Sequence, residues 1–190
     1  MIAVPDTTPP NLKDALVAHL MAHAVRTDGP FTLRSGEVSD WYIDARQTTF
    51  DGEGAKLVGE AVLSVLDPDV TAVGGMTMGA DPIAAATAIA AAGAGRPLRA
   101  FSIRKEAKDH GTGGRLVGPV REGDAAAVLE DTTRTGSAIV EAVDALVDAG
   151  VKIVQVVSLV DRSGGTVADR VNALGIDYIA LLTPADLGVE

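Results

Sequence analysis

At 190 residues, with a formal net charge of −10, no cysteine and 3% aromatic residues, the chain is long enough to bury one core, and Ala, Val, Leu and Ile must build it. The lack of cysteine excludes disulfides, thiolate metal sites and a cysteine nucleophile, and it fits a reducing cytosol. The acidic balance argues against general nucleic-acid binding and means that an anionic substrate must be drawn in by a local cluster of cations.

The first residues, MIAVPDTTPPNLKDAL, have no basic region followed by an apolar one, so no signal peptide is expected. The longest low-polarity run, Ile83–Gly95, is too short and too rich in Ala and Gly to span a bilayer. A soluble, cytoplasmic protein is expected. Asn11 can cap a helix running to about Ala24, with Leu12, Leu16 and Leu20 at helical spacing. His19 and His23 lie four apart on it, a spacing that suits a metal; without cysteines or a nearby acidic pair, a solvated helix edge is the expectation.

Phe31–Arg46, FTLRSGEVSDWYIDAR, reads as two short strands around a Ser-Gly turn, with Trp41, Tyr42 and Ile43 supplying most of the aromatic mass. Beyond Gly52, helical and strand patterns alternate. A helix over about Gly54–Leu66 is followed by strand Thr71–Gly74, helix Asp81–Ala92 and strand Leu98–Ile103. Strand Lys152–Val160, helix Gly165–Leu174 and strand Asp177–Leu181 close the chain. This alternation predicts a parallel sheet with helices on both faces. In such sheets ligands sit beyond the strand C-termini, where the strand order reverses. Gly75–Asp81, Arg104–Gly114, Glu130–Ala138 and Asp161–Gly164 each follow a strand, so the site is expected among them. No repeat or linker interrupts the chain, which reads as one domain over 1–190, with an N-terminal part mainly over 1–50 and a core over about 51–190.

Two stretches carry chemistry. Ser102–Arg115, SIRKEAKDHGTGGR, gathers Arg104, Lys105, Lys108, His110 and Arg115 in an otherwise acidic chain, and Gly111, Gly113 and Gly114 make it a candidate mobile loop. A charge run of this kind also suits a plain solvated face. The second stretch is Ala125–Ala138, AAAVLEDTTRTGSA: a short buried strand, the acids Glu130 and Asp131, a hydroxyl and glycine loop, then a helix that Gly150 ends. Backbone N–H groups at a helix N-terminus and the Thr and Ser hydroxyls suit a phosphate, and two carboxylates accept from sugar hydroxyls. An ordinary strand-to-helix turn with a capping Thr or Ser is the alternative; two adjacent acids ahead of Thr-Thr-x-Thr-Gly-Ser weigh against it. No Gly-Lys-Ser/Thr occurs, so this is not a Walker loop.

The Ala125–Ala138 stretch resembles the phosphoribosyl pyrophosphate (PRPP) motif of type I phosphoribosyltransferases. That resemblance implies Glu130 and Asp131 on the ribose hydroxyls, and Thr132, Thr133, Arg134, Thr135, Gly136, Ser137 and Ala138 around the 5′-phosphate. Two further segments narrow the resemblance to orotate phosphoribosyltransferases. Phe-Thr-Leu-Arg-Ser-Gly with Tyr-Ile-Asp is similar to that family's N-terminal hood and places Arg34 near the substrates. Arg-Lys-x-x-Lys-x-His-Gly is similar to its catalytic loop. That similarity implies Lys105 acting in the neighbouring subunit of a homodimer with shared active sites, and Arg104, Lys108 and His110 serving the diphosphate. Gly74–Pro82 resembles the diphosphate loop, where many relatives carry Lys in place of Met78. Arg162 matches an orotate-binding arginine, its fork fitting a planar carboxylate, and Arg134 supplies a second cation beside orotate.

The resemblance implies a type I phosphoribosyltransferase-like α/β fold and catalysis by Lys105, Lys108, His110 and Asp131. It also implies Mg²⁺ carried on the substrate, with no protein metal ligands named, and no nucleic-acid or membrane partner. A purine phosphoribosyltransferase shares the central motif and lacks the hood and cationic-loop motifs; a PRPP-sensing regulator usually adds a DNA-binding part.

Overall fold

The computed structural model describes residues 10–32, 36–108 and 114–189. The chain opens with α1 (Pro10–His23), β1 (Val25–Arg26), β2 (Phe31–Thr32), β3 (Val38–Ser39), β4 (Tyr42–Ile43) and α2 (Arg46–Thr49). Next come α3 (Gly52–Val65), β5 (Ala72–Met76), α4 (Ala80–Gly93), β6 (Arg99–Lys108) and β7 (Gly114–Val117). The chain ends with β8 (Ala125–Thr133), α5 (Ser137–Asp148), β9 (Lys152–Asp161), α6 (Thr166–Ala173) and β10 (Asp177–Leu182).

A six-stranded sheet runs in the order β10-β9-β8-β5-β6-β7. Its neighbours are parallel except β7, which runs antiparallel to β6 at the edge. The expected parallel sheet therefore carries one antiparallel edge strand, a common arrangement in large α/β sheets. Successive strand residues face opposite sides. Val73, Ala127, Leu129, Val157 and Leu159 pack with Leu16 and Leu20 of α1, Val58 of α3 and Ile83 of α4. Ala72, Ala126, Val128 and Val156 pack with Ile139, Ala142 and Leu146 of α5 and Val167 of α6. From β5 the chain steps outward to β6; from β8 it steps the other way to β9 and β10. The strand order therefore reverses between β5 and β8, which opens a crevice beyond their C-terminal ends.

Several sequence expectations are corrected. Phe31–Arg46 is not a single hairpin: β2 pairs with β3, while β4 pairs with β1. A one-turn helix, α2, follows. The cationic stretch begins as strand rather than loop, because β6 continues to Lys108, whose backbone pairs with Gly114 of β7. The central strand runs on through both acids to Thr133. His19 is not a solvated edge. Its side chain is 9% exposed, Nδ1 lies 3.2 Å from Thr48 Oγ1 and Nε2 3.1 Å from Asp51 Oδ1. It ties α1 to α2 and to the N-cap of α3, where Asp51 accepts from the Glu53 and Gly54 N–H groups. His23 is exposed as expected. Among the described residues, no helix is long and apolar enough to cross a membrane.

Candidate active site

The crevice at the strand reversal is a cleft of about 310 Å³. One wall is the loop after β5, with Met78 and Gly79; another is Glu130, Asp131 and Thr132 at the end of β8; the third is Tyr42–Arg46 from the N-terminal part. Lys105 of β6 reaches its edge. Gly79 is needed here, since a Cβ at that position would stand 2.7 Å from the Asp131 carboxyl carbon. The loop after β5 and the end of β8 are thus in close approach across the switch point.

Glu130 and Asp131 are neighbours on a half-buried strand end, and the parallel ladder extends beyond them to Thr132–Val160 and Thr133–Asp161. Burial, followed by the Asp131 charge, pushes the Glu130 carboxyl up to about 8. Burial raises Asp131 as well, opposed by the Thr132 N–H that it accepts at 2.7 Å and by the charge of Arg46. A raised carboxyl keeps its proton in the folded protein, so its stabilising contribution is full below about pH 4.5 and is lost as pH climbs to about 8. Glu130→Gln should therefore match the parent in stability near pH 4 and exceed it at pH 8.5, by an amount on the order of 2–4 kcal/mol. Urea unfolding of ligand-free protein at the two pH values measures the difference.

The hydroxyl loop follows Thr133, whose Oγ1 is buried 2.7 Å from Ser158 Oγ and anchors the strand end. Gly136 takes φ 75° and precedes α5 with no side-chain cap. Its missing Cβ leaves room for Val167, which one would approach to 3.1 Å. Gly136 has no side chain to cap α5; the Ser137 N–H donates to Thr135 Oγ1 at 3.4 Å, and the start of the helix borders a hollow of about 150 Å³ that Thr132–Ile139 line. Thr135 Oγ1 and Ser137 Oγ lie 3.1 Å apart at its rim, and Arg170 of α6 donates to the Thr135 carbonyl at 3.1 Å.

A third hollow, of about 360 Å³, adjoins this loop and is lined by Glu37, Trp41, Arg134 and Arg162. Arg162 follows β9 and donates its backbone N–H to the Thr133 carbonyl at 2.7 Å. Its guanidinium lies 4.0 Å from the Trp41 ring centroid, a cation–π contact that holds the fork in one plane. Burial, then the like charge of Arg134, pulls the Arg162 guanidinium below its ordinary range. Two guanidiniums that repel across one hollow make a place for an anion. Arg134 pairs with Glu37 across it.

The expected residues are thus largely gathered. Glu130, Asp131, Thr132 and Lys105 share the cleft; Thr133, Thr135, Gly136, Ser137 and Ala138 form the loop; Arg134 and Arg162 line the hollow beside it. Arg104 sits on β6, where its carbonyl accepts from Arg115 Nε at 2.7 Å. Lys108 is described only through its backbone. Arg34 and His110 lie outside the described residues. Sequence reading passed over Asp44 and Arg46 in the cleft and over Trp41 beneath Arg162. The Tyr-Ile-Asp segment marks the hood by resemblance, but local sequence gives no role to Asp44 or Arg46 themselves and no partner to Trp41.

No protein-family model matches the chain. It is 43% identical over 182 residues to the orotate phosphoribosyltransferase of Streptomyces avermitilis, covering 95% of this chain and 99% of that one. The crystal structure of Mycobacterium tuberculosis orotate phosphoribosyltransferase superimposes with a TM-score of 0.83 at 35% identity, covering 95% of this chain and all of that one. The same mycobacterial protein in complex with PRPP matches with a TM-score of 0.77 at 31% identity, over 95% of this chain and 94% of that one.

Proposed function

The chain belongs to the orotate phosphoribosyltransferase family, and from that premise we propose how its own residues divide the reaction. The enzyme moves the 5-phosphoribosyl group of PRPP to orotate, giving orotidine 5′-monophosphate and diphosphate in pyrimidine synthesis. The supporting observation is the contact across the switch point, where Asp131 of β8 meets the loop after β5 and the start of α5, with its hydroxyl loop, lies alongside.

In this reading the 5′-phosphate rests in the loop from Thr132 to Ala138, on the N–H groups of α5 and the Thr135 and Ser137 hydroxyls. Glu130 and Asp131 accept from the ribose hydroxyls. The diphosphate lies along Met78 and Gly79, under the arm formed by β6 and β7 that carries Arg104 and Lys105; the family resemblance adds Lys108 and His110 to the groups that serve it. Orotate occupies the hollow between Arg134 and Arg162, and its carboxylate takes the Arg162 fork; a role for Arg34 rests on the family resemblance alone. The C1–O bond breaks with its electron pair leaving on diphosphate. The orotate ring nitrogen forms the new C1–N bond and gives its proton to solvent. No side chain bonds covalently to the sugar; the chain contributes position and charge.

Of the four acids that line the cleft, Glu141 pairs with Arg115 and Asp44 with Arg46, which leaves the oxygens of Glu130 and Asp131 facing it. Among the described residues no three His, Cys, Asp or Glu side chains cluster tightly enough to hold a metal alone. That combination fits Mg²⁺ arriving on PRPP and resting on Asp131 and Glu130 through substrate and water. When bound, Mg²⁺ neutralises diphosphate charge. Residues 1–50 act as the hood of a single domain, the enzyme is cytoplasmic, and a homodimer shares its sites through Lys105.

Arg162→Ala tests the orotate end. Losing one partner of a part-buried charge pair costs about 2–5 kcal/mol, so KM for orotate should rise at least about 30-fold while KM for PRPP changes little. An unchanged orotate KM would remove Arg162 from the base site.

A further inference from the structure

We propose that Arg46 binds the diphosphate end of PRPP from the hood side of the cleft, within the same chain as the acid pair. The inference rests on the PRPP reading above and adds a residue to it. Arg46 is the first residue of α2 and lines the cleft together with Met78, Gly79, Lys105 and Asp131. Of the described residues lining it, Arg46 and Lys105 are the cations, set against Asp44, Glu130, Asp131 and Glu141. Met78, on the loop that faces the diphosphate, is uncharged and exposed. A leaving group that gathers negative charge needs a fixed cation near this loop, and Lys105 sits out on the β6 arm with an exposed side chain. Arg46 is the cation held by the body of the cleft.

Its geometry suits the task. Arg46 Nε donates to Asp44 Oδ1 at 2.7 Å, and the Arg46 backbone N–H donates to the same oxygen at 3.2 Å. One carboxylate oxygen thus fixes both ends of the residue. Among the hydrogen bonds of the described residues, neither Nη of Arg46 is engaged. The side chain is 48% exposed, open to a ligand rather than buried as a structural pair. A guanidinium held at Nε with its two Nη groups free presents a fork to phosphate oxygens. The Asp44 and Asp131 charges hold it firmly protonated. Asp44 is accordingly a positioning residue for Arg46.

Calorimetric titration with inorganic diphosphate and Mg²⁺, beside ribose 5-phosphate as the ligand lacking the diphosphate, separates this role from a folding role. Two variants are compared with the parent. Arg46→Ala removes the fork; Arg46→Gln removes the charge and keeps a donor for Asp44. Diphosphate affinity should fall about 10- to 100-fold in both, with ribose 5-phosphate affinity within about twofold of the parent and kcat reduced. Unchanged diphosphate affinity in both variants overturns the proposal. A loss confined to Arg46→Ala also overturns it, because Arg46 is then only a tie through Asp44. If the parent itself binds neither diphosphate nor ribose 5-phosphate, the failure belongs to the PRPP reading instead.

Discussion

Asp131→Asn should lower kcat by about 10²-fold and weaken PRPP binding while leaving the fold and its unfolding temperature intact. The substitution keeps the shape, so the approach to Gly79 and the bond from the Thr132 N–H survive. What it removes is a charged acceptor, worth about 1.5–3 kcal/mol per hydrogen bond to a charged group, together with the partner that Arg46 and a substrate-borne cation face across the cleft. Burial already disfavours the ionised carboxylate in the folded protein, so the neutral amide should cost no stability. Activity should fall while stability holds or rises, the signature of a group kept for function. Steady-state kinetics with PRPP varied at saturating orotate, run beside thermal unfolding followed by circular dichroism, measures both. Normal kinetics would return the acid pair to a structural role.

Lys105 is the second large effect, and it concerns the assembly. Its side chain is exposed on β6, at the rim of the cleft of its own chain. If it serves the neighbouring subunit, Lys105→Ala and Asp131→Ala homodimers should each retain well under a tenth of parent activity. Mixing them gives heterodimers in which one site draws Asp131 from one chain and Lys105 from the other. That site is intact and the other carries both defects. Activity should return towards about half of the parent per heterodimer if the sites act independently. A lysine acting within its own chain leaves one defect in each site, so mixing restores nothing. Differently tagged chains show that exchange has taken place.

The alternation of strands and helices made the layered sheet legible, and with it the gathering of the candidate site residues at the strand C-termini. What escaped was polar strand. The acids mark the end of the apolar strand and Thr132–Thr133 reads as loop because it lacks apolar residues, yet these β-branched residues extend the ladder against Val160 and Asp161. Thr133 enters the core only because Ser158 on the neighbouring strand meets its hydroxyl. Arg104–Lys108 escaped for a related reason. The arm projects beyond the core and needs no buried face, so nothing in its pattern marks a strand. His19 shows the converse limit. Its partners, Thr48 and Asp51, stand about thirty positions away in the chain, and helical spacing carries no trace of them. The acid pair and hydroxyl loop were legible because their chemistry is contiguous. Trp41 beneath Arg162, and Asp44 with Arg46 opposite Asp131, became visible only once β4 was folded over the ends of β8 and β9.

The most direct measurement is the loss of orotate absorbance when the purified chain is mixed with PRPP and Mg²⁺, beside parallel assays with adenine, hypoxanthine and uracil. Orotate should be consumed with equimolar release of diphosphate, and the three bases that lack a carboxylate for Arg162 should remain. Turnover of a purine base in preference to orotate, or no turnover of orotate by protein that binds PRPP, would contradict the assignment.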